Sequence, residues 1–81
     1  MWRIAYKGHT IEVINTVFRE KLIVDGELQE EQTGLAFSRN LHGQIKSGDG
    51  AGESVKVSIT AGFWYPHCAI LINDKEIMNA Q

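Results

Sequence analysis

One cysteine, one proline, no strong excess of charge and no long apolar run: these scarcities remove several classes of protein before any motif is sought. A lone Cys68 cannot form an internal disulfide, so packing must hold the fold, and a reducing, cytoplasmic setting is predicted. An apolar stretch such as Cys68 to Ile72 is far too short to cross a bilayer. No apolar segment of the signal-peptide kind follows Met1, Trp2 and Arg3, so no membrane partner is predicted. Eight basic and ten acidic residues leave a formal charge of −2. A basic field that would gather phosphates is therefore missing, and nucleic acid is not a predicted partner.

What remains is ordinary globular material, 43% hydrophobic and 22% charged, far from the composition of a disordered chain. Residues 1–81 read as one β domain, with residues 78–81 as a frayed tail. A chain this short removes only about 60% of its unfolded surface from water, so core and binding site compete for the same few side chains.

Period-two patterning dominates the sequence. Trp2, Ile4 and Tyr6 alternate with Arg3, Ala5 and Lys7, and Ile11 and Val13 alternate with Thr10 and Glu12, which predicts two strands joined at Lys7-Gly8. From Ile11 to Leu22 the pattern is mixed. Ile14, Val17, Phe18 and Leu22 fall at helical spacing, so a short helix competes over residues 14–20; the β-branched Thr10, Ile11, Val13, Ile14, Thr16 and Val17 favour one long strand with a bulge near Asn15. Asp25-Gly26, between Leu22-Ile23-Val24 and Glu27-Leu28-Gln29, predicts a second hairpin. A third is predicted with Arg39-Asn40 as its turn. The glycine-dense Gly48 to Gly52 reads as a loop, and Val55, Val57 and Ile59 as one face of a strand. Residues 68–72 are apolar on both parities, as in a strand covered on both faces, and Asn73-Asp74 follows as a turn. The prediction is an all-β fold, a small antiparallel sandwich or barrel of about 6–8 short strands in meander order.

No arrangement of reactive residues amounts to a catalytic or metal-binding set. The glycines at 48–52 lead into a strand rather than the helix a phosphate loop needs, and Asp49 alone supplies too few oxygens for calcium. His67 and Cys68 are adjacent, so on a strand they point to opposite faces and cannot share a metal with His9 and His42. Cys68 opens an apolar segment, which suppresses the thiolate that a Cys-His nucleophile requires. Asp25, Glu27, Glu30 and Glu31 read as a solvated edge that discourages aggregation. No catalytic residue, metal or cofactor is predicted. The candidate partner-binding residues are Phe63, Trp64, Tyr65 and His67, in the connection from Gly62 past Pro66, because consecutive aromatics cannot all face a core and Trp and Tyr concentrate at binding hot spots.

A tryptophan early in the first strand, then "GHTIEV", "LIVDGE" and finally "AILINDKEI" give an order of pieces that resembles the small β-sandwich domain of the Fas apoptotic inhibitory molecule family. There a Trp-bearing strand leads through a Gly-x-His turn to an Ile-Glu strand, followed by a Val-Asp-Gly turn and a closing Ile-Asn-Gly-Lys turn. Trp2, Gly8, His9, Ile11, Glu12, Val24, Asp25, Gly26, Ile72, Asn73 and Lys75 match in order, and Asp74 stands where the family tends to have glycine. The resemblance implies a compact, non-enzymatic interaction domain and assigns no functional residue.

These readings predict a non-catalytic domain that binds a protein or peptide through the aromatic loop or by adding a strand at an exposed sheet edge. Two alternatives stand beside it. One is a small-molecule or metal binder whose ligand enters a barrel end lined by Tyr6, His42 and His67; the other is self-association through edge strands.

Overall fold

Alternating side chains and three two-residue turns build the molecule from hairpins. The computed structural model describes residues 1–16, 18–34, 38–61 and 66–80. Strands β1 (Trp2–Tyr6), β2 (His9–Asn15), β3 (Arg19–Val24) and β4 (Glu27–Thr33) form one antiparallel sheet in chain order. Strands β5 (Ser38–Gln44), β6 (Ser54–Thr60), β7 (His67–Ile72) and β8 (Lys75–Ala80) form the other. This is the predicted all-β sandwich in meander order, and the described residues contain no helix.

The turns explain the order. Lys7 and Gly8 have φ of 48° and 82°, Asp25 and Gly26 of 52° and 79°, Asn73 and Asp74 of 55° and 65°. Two consecutive positive φ values give the turn whose twist matches that of paired strands. Between the sheets, Ile11, Val13, Leu22 and Val24 of the first meet Leu41, Val55, Val57, Ile59, Cys68, Ile70 and Ile72 of the second, with Ile45 beside them. Each fully buried aliphatic side chain contributes about 1.5–3 kcal/mol relative to exposure. Gly43 of β5 lets the sheets approach: a Cβ there would lie 3.0 Å from Gln29 Cβ and 3.0 Å from Leu22 Cδ2.

Three expectations need correction. The described part of residues 14–20 is neither a helix nor one long strand: β2 ends at Asn15, β3 begins at Arg19, and Thr16 donates its N–H (2.8 Å) and its hydroxyl (3.1 Å) to the Arg19 carbonyl. Val17 lies outside the described residues. Arg39 and Asn40 are not a turn but the second and third residues of β5, held there because their groups bond across to the other sheet. Of the tail, Met78 to Ala80 belong to β8, with Met78 opposite Ile70 and Ala80 opposite Cys68, and Gln81 lies outside the described residues. Only one face of β7 is buried, since Ala69 and Leu71 are half-buried on the outer side.

Candidate functional site

Two regions carry polar or unpaired groups that the core does not require. The first is the end of the sandwich where the two-residue turns meet the glycine loop. His9, the first residue of β2, is 8% exposed. Its Nδ1 lies 2.5 Å from Asp25 Oδ2, and its Nε2 lies 2.7 Å from the carbonyl oxygen of Asp49 in the loop. Asp25 is fixed in turn by the Thr10 N–H, donated to Oδ1 at 2.9 Å. Gly48 lies close to the imidazole, where a Cβ would come 3.4 Å from Cε1. Bonding to Asp25 and to the Asp49 carbonyl holds the His9 imidazolium above its ordinary pKa, while the Thr10 N–H and His9 hold the Asp25 carboxyl below its own. Beside them Lys7 Nζ reaches Glu53 Oε1 at 2.9 Å, which raises the lysine and lowers the carboxyl.

The second region is the pair of long sides of the sandwich, which are treated in opposite ways. On the β4/β5 side the free backbone of β5 is covered by side chains. Glu30 accepts the His42 N–H at 2.6 Å, and Gln32 donates to the Asn40 carbonyl at 2.9 Å. Arg39 donates to Gln32 Oε1 and to the carbonyls of Thr33 and Gly34. Glu30 is therefore not part of a solvated acidic edge: it is half-buried, and bonding to Gln32 and to the His42 N–H holds its carboxyl low. Glu27 and Glu31 do remain in surface pairs, with Lys46 and with Arg19.

On the opposite side, β1 pairs among the described residues only with β2, in unbroken register from Trp2↔Val13 to Tyr6↔His9. In a two-residue hairpin the residues flanking the turn exchange both backbone bonds, so Tyr6, Ile4 and Trp2 bond inward while Arg3 and Ala5 aim their N–H and C=O groups outward. Trp2, Ile4 and Tyr6 are half-buried on the core side, because none of the described strands lies beyond β1 to cover them. The outer strand of the second sheet, β8, instead pairs with β7 through a register shift between Ile70 and Leu71, an irregularity of the kind that spoils edge pairing.

Of the residues singled out in sequence, Phe63, Trp64 and Tyr65 lie outside the described residues, and His67 is the half-buried first residue of β7, opposite Thr60. Tyr6, His42 and His67 do not converge. Tyr6 stands at the turn end and His67 at the other end of β7, while His42 sits mid-strand on the exposed face of β5. Among the described residues no three of His, Cys, Asp and Glu gather as metal ligands would. Cys68 is fully buried, and burial pushes its thiol up to about 11. Sequence reasoning passed over the His9–Asp25 pair, although a signal existed. Once β2 and β3 pair with Ile11 opposite Val24, Asp25 necessarily falls beside Thr10 and His9.

No protein-family model, curated protein or solved structure matches the chain.

Proposed function

We propose that this chain is a non-catalytic recognition domain that takes an extended segment of a protein or peptide as a further strand on β1. One observation carries the reading: among the described residues, β1 is the one sandwich edge that is regular, uncovered and backed by half-buried apolar side chains. An added strand would satisfy the outward backbone groups of Arg3 and Ala5, and its alternate side chains would cover Trp2, Ile4 and Tyr6. The partner segment is therefore extended, free of proline at its centre and apolar at every second position. The resemblance to the Fas apoptotic inhibitory molecule family points toward interaction rather than catalysis as well. Recognition by the aromatic loop is the other form of this reading, and the same experiment scores it.

Displayed-peptide selection against the intact protein, followed by an Ala5→Pro variant, tests the proposal. Proline removes an N–H that β2 does not use, and edge strands tolerate it. Enriched peptides should shift the Arg3 and Ala5 amide resonances and bind the variant at least tenfold more weakly. Equal binding to both proteins, with loss in Trp64→Ala, would move recognition to the loop, and failure to enrich any alternating peptide would overturn the strand-addition reading.

A further inference from the structure

The buried imidazole of His9 faces two oxygens, and neither can donate a proton to it. Asp25 Oδ2 belongs to a carboxylate whose other oxygen already accepts the Thr10 N–H, and the Asp49 oxygen is a backbone carbonyl. A neutral imidazole has one N–H, so it satisfies one of these contacts and turns a lone pair toward the other oxygen at hydrogen-bond distance. Only the doubly protonated ring makes both bonds. The proton belongs on the ring rather than on Asp25, since an ordinary histidine holds it far more tightly than an ordinary aspartate.

The Asp49 contact joins parts of the chain that share no backbone ladder, whereas the β2–β3 ladder holds Asp25 beside His9. Asp25 sits in the β3–β4 turn, His9 follows the β1–β2 turn, and Asp49 lies in the loop between β5 and β6. That loop is closed on itself by Gly52 N–H to the Ile45 carbonyl at 2.8 Å and Ala51 N–H to the Gly48 carbonyl at 3.2 Å. The charged groups acting on the ring are Asp25 and Asp49, while Lys7 of the adjoining turn is committed to Glu53 at the loop's far end.

We infer that His9 is a pH-operated latch on the Gly48–Gly52 loop: as an imidazolium it ties the loop to the β3–β4 turn, and as neutral imidazole it lets the loop go. On deprotonation the remaining proton stays on Nδ1, because the Asp25 carboxylate is the stronger acceptor, so the bond to the Asp49 carbonyl is the one that fails. The loop opens while the strands beneath it persist. This inference is independent of strand addition at β1.

Ring ¹⁵N shifts of His9 and amide exchange of the loop, followed from pH 5 to pH 9 in the intact protein, provide the test. Both ring nitrogens should be of the protonated type at pH 6, with one midpoint above 6.5, the ordinary histidine value. Protection of the Ala51 and Gly52 amides, corrected for intrinsic exchange, should fall at least tenfold through the same midpoint, with β6 and β7 amides unchanged. Asp25→Asn should shift the midpoint downward; Asp49→Asn, which keeps the carbonyl, should leave the latch working. A neutral His9 at pH 6, loop protection indifferent to its titration, or loss of the latch in Asp49→Asn would each overturn the inference.

Discussion

Arg39 of β5 sets its Nε 3.2 Å from Oε2 of Glu20 on β3, an ion pair spanning the two sheets with both side chains nearly out of water, 13% and 8% exposed. The guanidinium is otherwise well bonded, but among the described residues Glu20 Oε2 and Arg39 Nε make no well-directed hydrogen bond. Removing one partner strands a buried charge, whereas removing both strands none. Glu20→Ala and Arg39→Ala should each cost about 3–5 kcal/mol, and Glu20→Leu with Arg39→Met should be near neutral. Urea unfolding of the three variants checks this, and additive single costs would contradict it.

The stability of the protein should depend on pH from two sides. His9 has a raised folded pKa, so its contribution is complete below 6.5, the ordinary histidine value, and is lost as pH rises through the folded value. Asp25 has a lowered one, so its contribution is complete above 3.8, the ordinary aspartate value, and is lost as pH falls through the folded value. Urea midpoints should therefore be highest between these limits and decline on both sides. His9→Gln should remove the alkaline decline and leave most of the acid one.

Gly43→Ala should destabilise by about 1–3 kcal/mol, the usual range for overpacking. The added methyl meets a backbone-fixed atom, Gln29 Cβ, at 3.0 Å, and Leu22 Cδ2 at the same distance. Gln29→Gly removes the first of these atoms, so it should recover part of the loss in the double variant, as thermal unfolding would show.

Asp74→Gly should stabilise by about 0.5–1 kcal/mol, since φ of 65° at the second turn position suits glycine best. Its ion pair with Lys56 is exposed and contributes little. A lower melting temperature in the variant would assign the turn's stability to that pair instead.

Native Cys68 should resist alkylation at pH 8, because its thiol is fully buried and titrates near 11. Labelling should track global unfolding; modification at the rate of a free thiol in the folded protein would refute this.

Alternation and turn chemistry made most of the fold legible. Lys7-Gly8, Asp25-Gly26 and Asn73-Asp74 are local signals, and local signals survive in sequence. The features that were missed depend on contacts between sheets. Arg39-Asn40 looks like a turn until Glu20 and Gln32 are opposite it, and Glu30 looks solvated until the His42 N–H reaches it. The second turn, around Thr16, hides because the β-branched run continues through it. For the candidate site, the alternation of Trp2, Ile4 and Tyr6 was plain, but that β1 would be an uncovered edge followed only from the strand order. The role of His9 emerges only from the fold, because neither Asp25 nor the Asp49 carbonyl is near it in the chain.

Every strand pairs with a strand adjacent to it in the chain, and residues 1–34 and 38–80 hold separate sheets. In time rather than space, this means that all ladder contacts can form early, over short chain separations, and that only the docking of sheet on sheet must wait for distant residues to meet. The polar contacts Glu20–Arg39, Glu30–His42 and His9–Asp49 all belong to that late step. Misdocked sheets leave those charged groups without partners, so the same contacts that complete the native state discriminate against slipped versions of it.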